Sequence, residues 1–86
     1  MRITILNKRW KLVRRHTGPV ADGHCDPPNA PHKQISVHSG LRGERELEVF
    51  IHEMMHAADW SKDEDWVRDL SQDMAKVLWR LGYRKS

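Results

Sequence analysis

The fold is decided by residues 44–58, Glu44-Arg45-Glu46-Leu47-Glu48-Val49-Phe50-Ile51-His52-Glu53-Met54-Met55-His56-Ala57-Ala58. Leu47, Phe50, Ile51, Met54, Met55 and Ala58 recur at a period of 3.6 and form one apolar stripe. That spacing predicts an amphipathic helix over 43–58. Inside it stands His52-Glu53-Met54-Met55-His56, the pattern H-E-x-x-H. Residues four apart lie one turn above each other on one helix face, so both imidazoles can reach a single zinc ion. Glu53 lies one step round the helix, poorly placed to ligate with them and well placed to take a proton from a water the metal activates. At about 100° per residue the two histidines fall away from the apolar stripe, on the side of Glu48 and Val49. They are expected to face a cleft.

Downstream, the chain breaks near Asp59 to Lys62 and a second helical period begins. Val67, Leu70, Met74, Val77, Leu78 and Leu81 supply an apolar face and Gly82 a stop, which predicts a C-terminal helix over 62–82. Upstream, the period is two. Arg2 to Leu6 and residues 9–15 alternate and read as a basic β-hairpin within 1–16, with a turn near Asn7-Lys8. Residues 17–32 hold Gly18, Pro19, Gly23, Pro27, Pro28 and Pro31 and read as one long loop. Lys33 to His38 alternate again and read as a third strand at the sheet edge, ended by Ser39-Gly40. Strands followed by helices make an α+β class: a small three-stranded antiparallel or mixed sheet, then two packed helices laid over it.

Composition narrows the function. At 86 residues the chain is one domain, 1–86, with a thin core that a bound metal would help to hold. No stretch approaches the roughly 20 apolar residues of a membrane span, and none makes a signal-peptide core. The one cysteine, Cys25, cannot form an internal disulfide, so a cytoplasmic setting is expected. The net charge of +3 is unevenly spread. Residues 1–16 hold Arg2, Lys8, Arg9, Lys11, Arg14 and Arg15 with no acid, while 59–73 are rich in aspartate. A basic end of this kind is either a solvated strand face or a footprint for nucleic acid.

A catalytic zinc site needs a third protein ligand. A histidine six residues beyond His56 would be one route, but position 62 is Lys62. The other route is a carboxylate from the start of the second helix, where Asp59, Asp63, Glu64 and Asp65 are available. Asp65 is expected to point to solvent and Asp63 to precede the helix. Glu64 flanks the core face and can reach a neighbouring helix, so it is the favoured ligand. The competing reading is a capping box, Ser61-Lys62-Asp63-Glu64, which would commit Glu64 to the backbone. His24 and Cys25 could hold a second metal but lack a partner motif, and His16 and His32 have none at ligand spacing. Trp60, Trp66 and Trp79 are expected to pack. An extended peptide could pair with the 33–38 strand, with His38 steadying an oxyanion.

The segment His52-Glu53-Met54-Met55-His56-Ala57, the short turn, Asp63-Glu64-Asp65-Trp66-Val67 and the ending Leu78-Trp79-Arg80-Leu81-Gly82-Tyr83-Arg84 resembles the small phage and prophage zincin-like metallopeptidases, in the style of the SprT-like and ImmA/IrrE-type families. The Cys25-Asp26-Pro27-Pro28 loop shares the likeness, which covers about residues 22–84. The resemblance implies a minimal zincin core and a cytoplasmic setting in a phage-infected bacterial host. It makes His52, His56 and Glu64 the zinc ligands, Glu53 the general base and a peptide or protein the substrate. Larger zincins close the cleft with a second lobe, for which this chain has no room. Two other classes stay open: an interaction protein that keeps the fold without activity, and a nucleic-acid module acting through the basic N-terminus.

Overall fold

The computed structural model of the chain describes residues 1–16 and 21–84. Strand β1 (Arg2–Ile5) turns into β2 (Lys8–Arg15), and the two pair antiparallel with Ile5 opposite Lys8. The turn is therefore Leu6-Asn7, one residue earlier than expected. Both residues have positive φ, 47° and 67°, which gives the backbone twist that a two-residue hairpin favours. Asn7 suits that conformation, but Leu6 does not, and its side chain is 72% exposed.

Residues 17–20 of the expected 17–32 loop lie outside the described residues. Its later part contains a strand, β3 (Gly23–Cys25). A three-residue strand between Asp22 and Asp26 is too short to show alternation. β4 (Gln34–His38) pairs parallel with β2 and antiparallel with β3, giving a four-stranded mixed sheet in the order β1-β2-β4-β3. The 33–38 strand is thus internal rather than an edge, and its Ile35, Ser36 and Val37 are fully buried. The sheet's free edges are β1 and β3.

One face of this sheet is covered by α1 (Gly43–Ala58). Trp10, Cys25, Ile35 and Ala57 form the buried cluster, with Ile3, Ile5, Leu12 and Met54 packed against it. Trp10 is the largest member, and an indole of that size dominates a thin core. The face of α1 that is buried also differs from the apolar stripe. Glu46, Val49, Ile51, Glu53 and Ala57 are the buried residues, while Ala58 is exposed. Val49, expected to share the cleft side, is buried because that side of the helix turns partly toward β3. The buried carboxylate of Glu46 is matched by Arg14 of β2 at 3.0 Å.

The second helix, α2 (Glu64–Arg80), begins later and ends earlier than 62–82. Asp63 is its N-cap and accepts a hydrogen bond from the Trp66 N–H at 3.2 Å. The helices are antiparallel: Glu64 at the start of α2 meets the last turns of α1, and Trp79 near its end approaches Gly43. Among the described residues α2 packs on α1 and on no strand, so the layers run sheet, α1, α2. Its buried stripe is Val67, Ser71 and Ala75. Small residues at 71 and 75 let α1 lie close, and this rotates Met74, Val77 and Leu81 toward solvent at 41%, 57% and 67% exposure. The face centred on Leu70, Met74 and Leu81 is therefore not the core face.

Replacing Leu6 by Asn keeps the hairpin and removes the cost of a γ-branched residue in the left-handed region. Leu6→Asn should stabilise the protein by about 0.5–1 kcal/mol, raising the melting temperature by several degrees in a calorimetric scan. An unchanged or lower melting temperature would contradict the turn conformation.

Candidate metal centre

Helix α1 carries His52 and His56 on its last two turns, and α2 begins at Glu64, five residues after Asp59, the C-cap of α1. This short connection returns Glu64 to the histidines. His52 Nε2 is 2.8 Å from Glu64 Oε1, and His56 Nε2 is 2.7 Å from Glu64 Oε2. The two Nε2 atoms approach to 3.2 Å. Two imidazoles and a carboxylate thus offer three ligand atoms within 4.8 Å of one another. A tetrahedral zinc with bonds of about 2.0–2.1 Å holds its ligand atoms about 3.3 Å apart. The imidazole spacing already matches that figure. The Glu64 oxygens would need to withdraw by about half an ångström, and its side chain is 64% exposed and free to do so. The donor set suits zinc.

The imidazoles are held by packing. Their side chains are 19% and 14% exposed, and Trp60 meets the His56 ring edge-on at 6.4 Å between centroids. No described residue hydrogen-bonds to either Nδ1.

The other carboxylates that competed for the third position are committed elsewhere. Asp59 accepts from the Ser61 backbone N–H at 3.1 Å and from its hydroxyl at 2.6 Å. That bond also removes Ser61 from the capping box. Asp63 caps α2, and Asp65 pairs with Arg68 at 3.0 Å. Of the four candidates, Glu64 alone meets the histidines.

Glu53 points from α1 toward β3, not toward α2. It is 8% exposed, and Gly23 lies directly over it. A Cβ at position 23 would stand 2.8 Å from Glu53 Oε2 and 2.8 Å from Val49 Cγ1, so only glycine fits there. Burial, reinforced by the charge of Glu64, raises the Glu53 carboxyl to about 7. A carboxyl tuned to that range can both accept and return a proton near neutrality.

A cleft runs along β3 past these groups. One cavity of about 480 Å³ is lined by Gly23, Cys25, His52, Glu53, His56 and Glu64 among others, with Trp60 and Lys62 at its rim. A second, of about 380 Å³, continues it toward Asp22 and Arg45 and shares Gly23, His52, Glu53 and Glu64. Gly23, Trp60 and Lys62 are contributors that the sequence did not single out. Trp60 and Trp66, expected to pack, are about half exposed.

The remaining candidates lie outside the ligand set, although His24 also lines the first cavity. His24 pairs with Asp26 at 3.0 Å, and no second cluster of metal ligands forms among the described residues. His38 accepts the Gly40 N–H at 2.8 Å, stacks edge-on with His16 and lines neither cavity of the cleft, so it does not face the expected oxyanion. His32 lines a separate cavity on the hairpin side.

Compared with protein-family models, curated proteins and solved structures, the chain matches none. No helix of the described residues is long and apolar enough to cross a membrane.

Cys25 is buried beside the cleft, and desolvation, with the charges of Glu53 and Asp26, pushes its thiol up to about 12. The folded protein therefore keeps a proton that the unfolded chain releases above about pH 8.5, and this contribution to stability falls as pH rises past that point. With chelator present at pH 8, iodoacetamide should alkylate native Cys25 at least about a hundredfold more slowly than the urea-unfolded chain. Comparable rates would show a thiol that is neither buried nor perturbed.

Proposed function

We propose that this chain is a zinc-dependent metallopeptidase with a minimal zincin-like core. One observation carries the reading: two imidazoles one turn apart meet a carboxylate from the next helix, beside a buried glutamate in an open cleft. His52, His56 and Glu64 would hold the ion. Zinc bound there supplies a Lewis acid that acidifies water and polarises a carbonyl.

The chain's own residues account for the rest. Glu53 is the general base: its carboxylate accepts the proton of the attacking water and, as an acid, returns it to the leaving amine. The substrate is an extended peptide bound to β3, whose outer edge pairs with no strand among the described residues. The β3–β4 bonds include His38 N–H to Asp22 C=O and Asp26 N–H to Gln34 C=O. Antiparallel alternation then leaves the N–H and C=O of Gly23 and Cys25 directed outward. A peptide that pairs with them passes over Glu53 and the three ligands. Gly23 serves here twice, since its missing Cβ admits the Glu53 carboxyl. The edge strand that receives substrate is thus β3, in place of the 33–38 strand.

The test is hydrolysis of a denatured protein such as casein by the zinc-loaded chain, read by mass spectrometry. Glu53→Gln should lower the rate by at least about a hundredfold while the protein still binds one zinc. Equal rates in the two proteins, or no cleavage by the loaded wild type, would overturn the reading.

A further inference from the structure

Strand alternation divides the side chains of the hairpin between two faces. Ile3, Ile5, Trp10, Leu12 and Arg14 face α1. Arg2, Thr4, Arg9, Lys11, Val13 and Arg15 are on the opposite face, which no described helix covers. Four of those six are cations, and the described residues place no carboxylate among them. Arg2 stands directly opposite Lys11 in the β1–β2 register. Like charges so placed destabilise a hairpin. Arg14, on the other face, has its acid in Glu46. Arg2, Arg9, Lys11 and Arg15 make no ion pair among the described residues, and neither does Lys33. Arg2, Arg9, Lys11, His32 and Lys33 converge on a cavity of about 500 Å³ that no acidic residue lines. The fold thus tolerates a cationic cluster without ion pairs around a solvent-open cavity.

We infer that the outer face of the β1–β2 hairpin, centred on Arg2, Arg9 and Lys11, is a binding surface for the phosphate backbone of nucleic acid. Along β2, Arg9 to Arg15 covers about 20 Å at 3.4 Å per residue, the length over which one strand of B-DNA presents about six phosphates. Guanidinium groups pair with phosphate oxygens through two parallel N–H donors. Trp10 lines the cavity but is only 2% exposed, so bases find no open indole to stack on and recognition is of backbone, not sequence. Val13 is its one apolar residue, which gives a lipid bilayer little to receive. The inference stands independently of the peptidase reading, since the surface is on the far side of the sheet from the metal centre.

The experiment is fluorescence anisotropy with a labelled 20-base-pair duplex of arbitrary sequence, titrated at several salt concentrations. Wild type should bind at 50 mM salt, with log K falling by about 3.5–4.5 per decade of salt, as four or five phosphate contacts require. Arg9→Gln/Lys11→Gln should bind at least about tenfold more weakly and reduce that slope by about 2. Relief of the Arg2–Lys11 repulsion should leave its melting temperature unchanged or higher, which shows that the loss is not unfolding. Lys76→Gln/Arg80→Gln on α2 should bind like wild type. Three results would overturn the inference: no duplex binding by wild type at 50 mM salt, equal loss in the α2 variant, or binding of phosphatidylserine vesicles without binding of duplex.

Discussion

The site depends on α1 being pressed closely between two neighbours. On the sheet side, Gly23 admits a carboxyl into a space that any side chain would fill. On the other side, Ser71 and Ala75 bring α2 close, and the short connection after Asp59 places Glu64 over two imidazoles. One helix therefore presents its charge chemistry in two directions. Glu53 is turned inward, where burial raises its pKa, and the histidines are turned outward, where a carboxylate meets them. A chain of 86 residues has a small core. An ion that tied α1 to α2 would add binding energy to that of packing.

The histidine pair, Glu53 and the order of strands and helices were legible because each rests on local periodicity. Spacing of four on a helix fixes the meeting of His52 and His56 regardless of the tertiary fold. Glu64 was legible for a weaker reason, its position at the start of the returning helix. The structure adds what sequence could not supply, the separate commitments of Asp59, Asp63 and Asp65. Strand β3 was not legible. Three residues give no alternation, and Gly23 reads as a loop signal until its approach to Glu53 is seen. Missing that strand also made β4 an edge. The buried face of α2 was misplaced because apolar count favours Leu70, Met74, Val77 and Leu81, whereas close helix packing selects the small Ser71 and Ala75.

The layered order gives the molecule two unlike surfaces. The cleft along β3 is lined by the two imidazoles and the carboxylate of the candidate centre and by the edge of that strand. The far face of the sheet is cationic through the alternation of β1 and β2. The basic N-terminal composition is therefore sorted by the fold: Arg14 is spent on Glu46 at the helix interface, and Arg2, Arg9, Lys11 and Arg15 remain exposed together.

Everything proposed for catalysis rests on His52, His56 and Glu64 acting as one ligand set. The most direct measurement is metal content by inductively coupled plasma mass spectrometry after zinc loading and desalting, for wild type, His56→Ala and Glu64→Ala. About one zinc per chain is expected in wild type, with loss or marked weakening in both variants. Wild type without zinc, or Glu64→Ala retaining zinc as tightly as wild type, would contradict it.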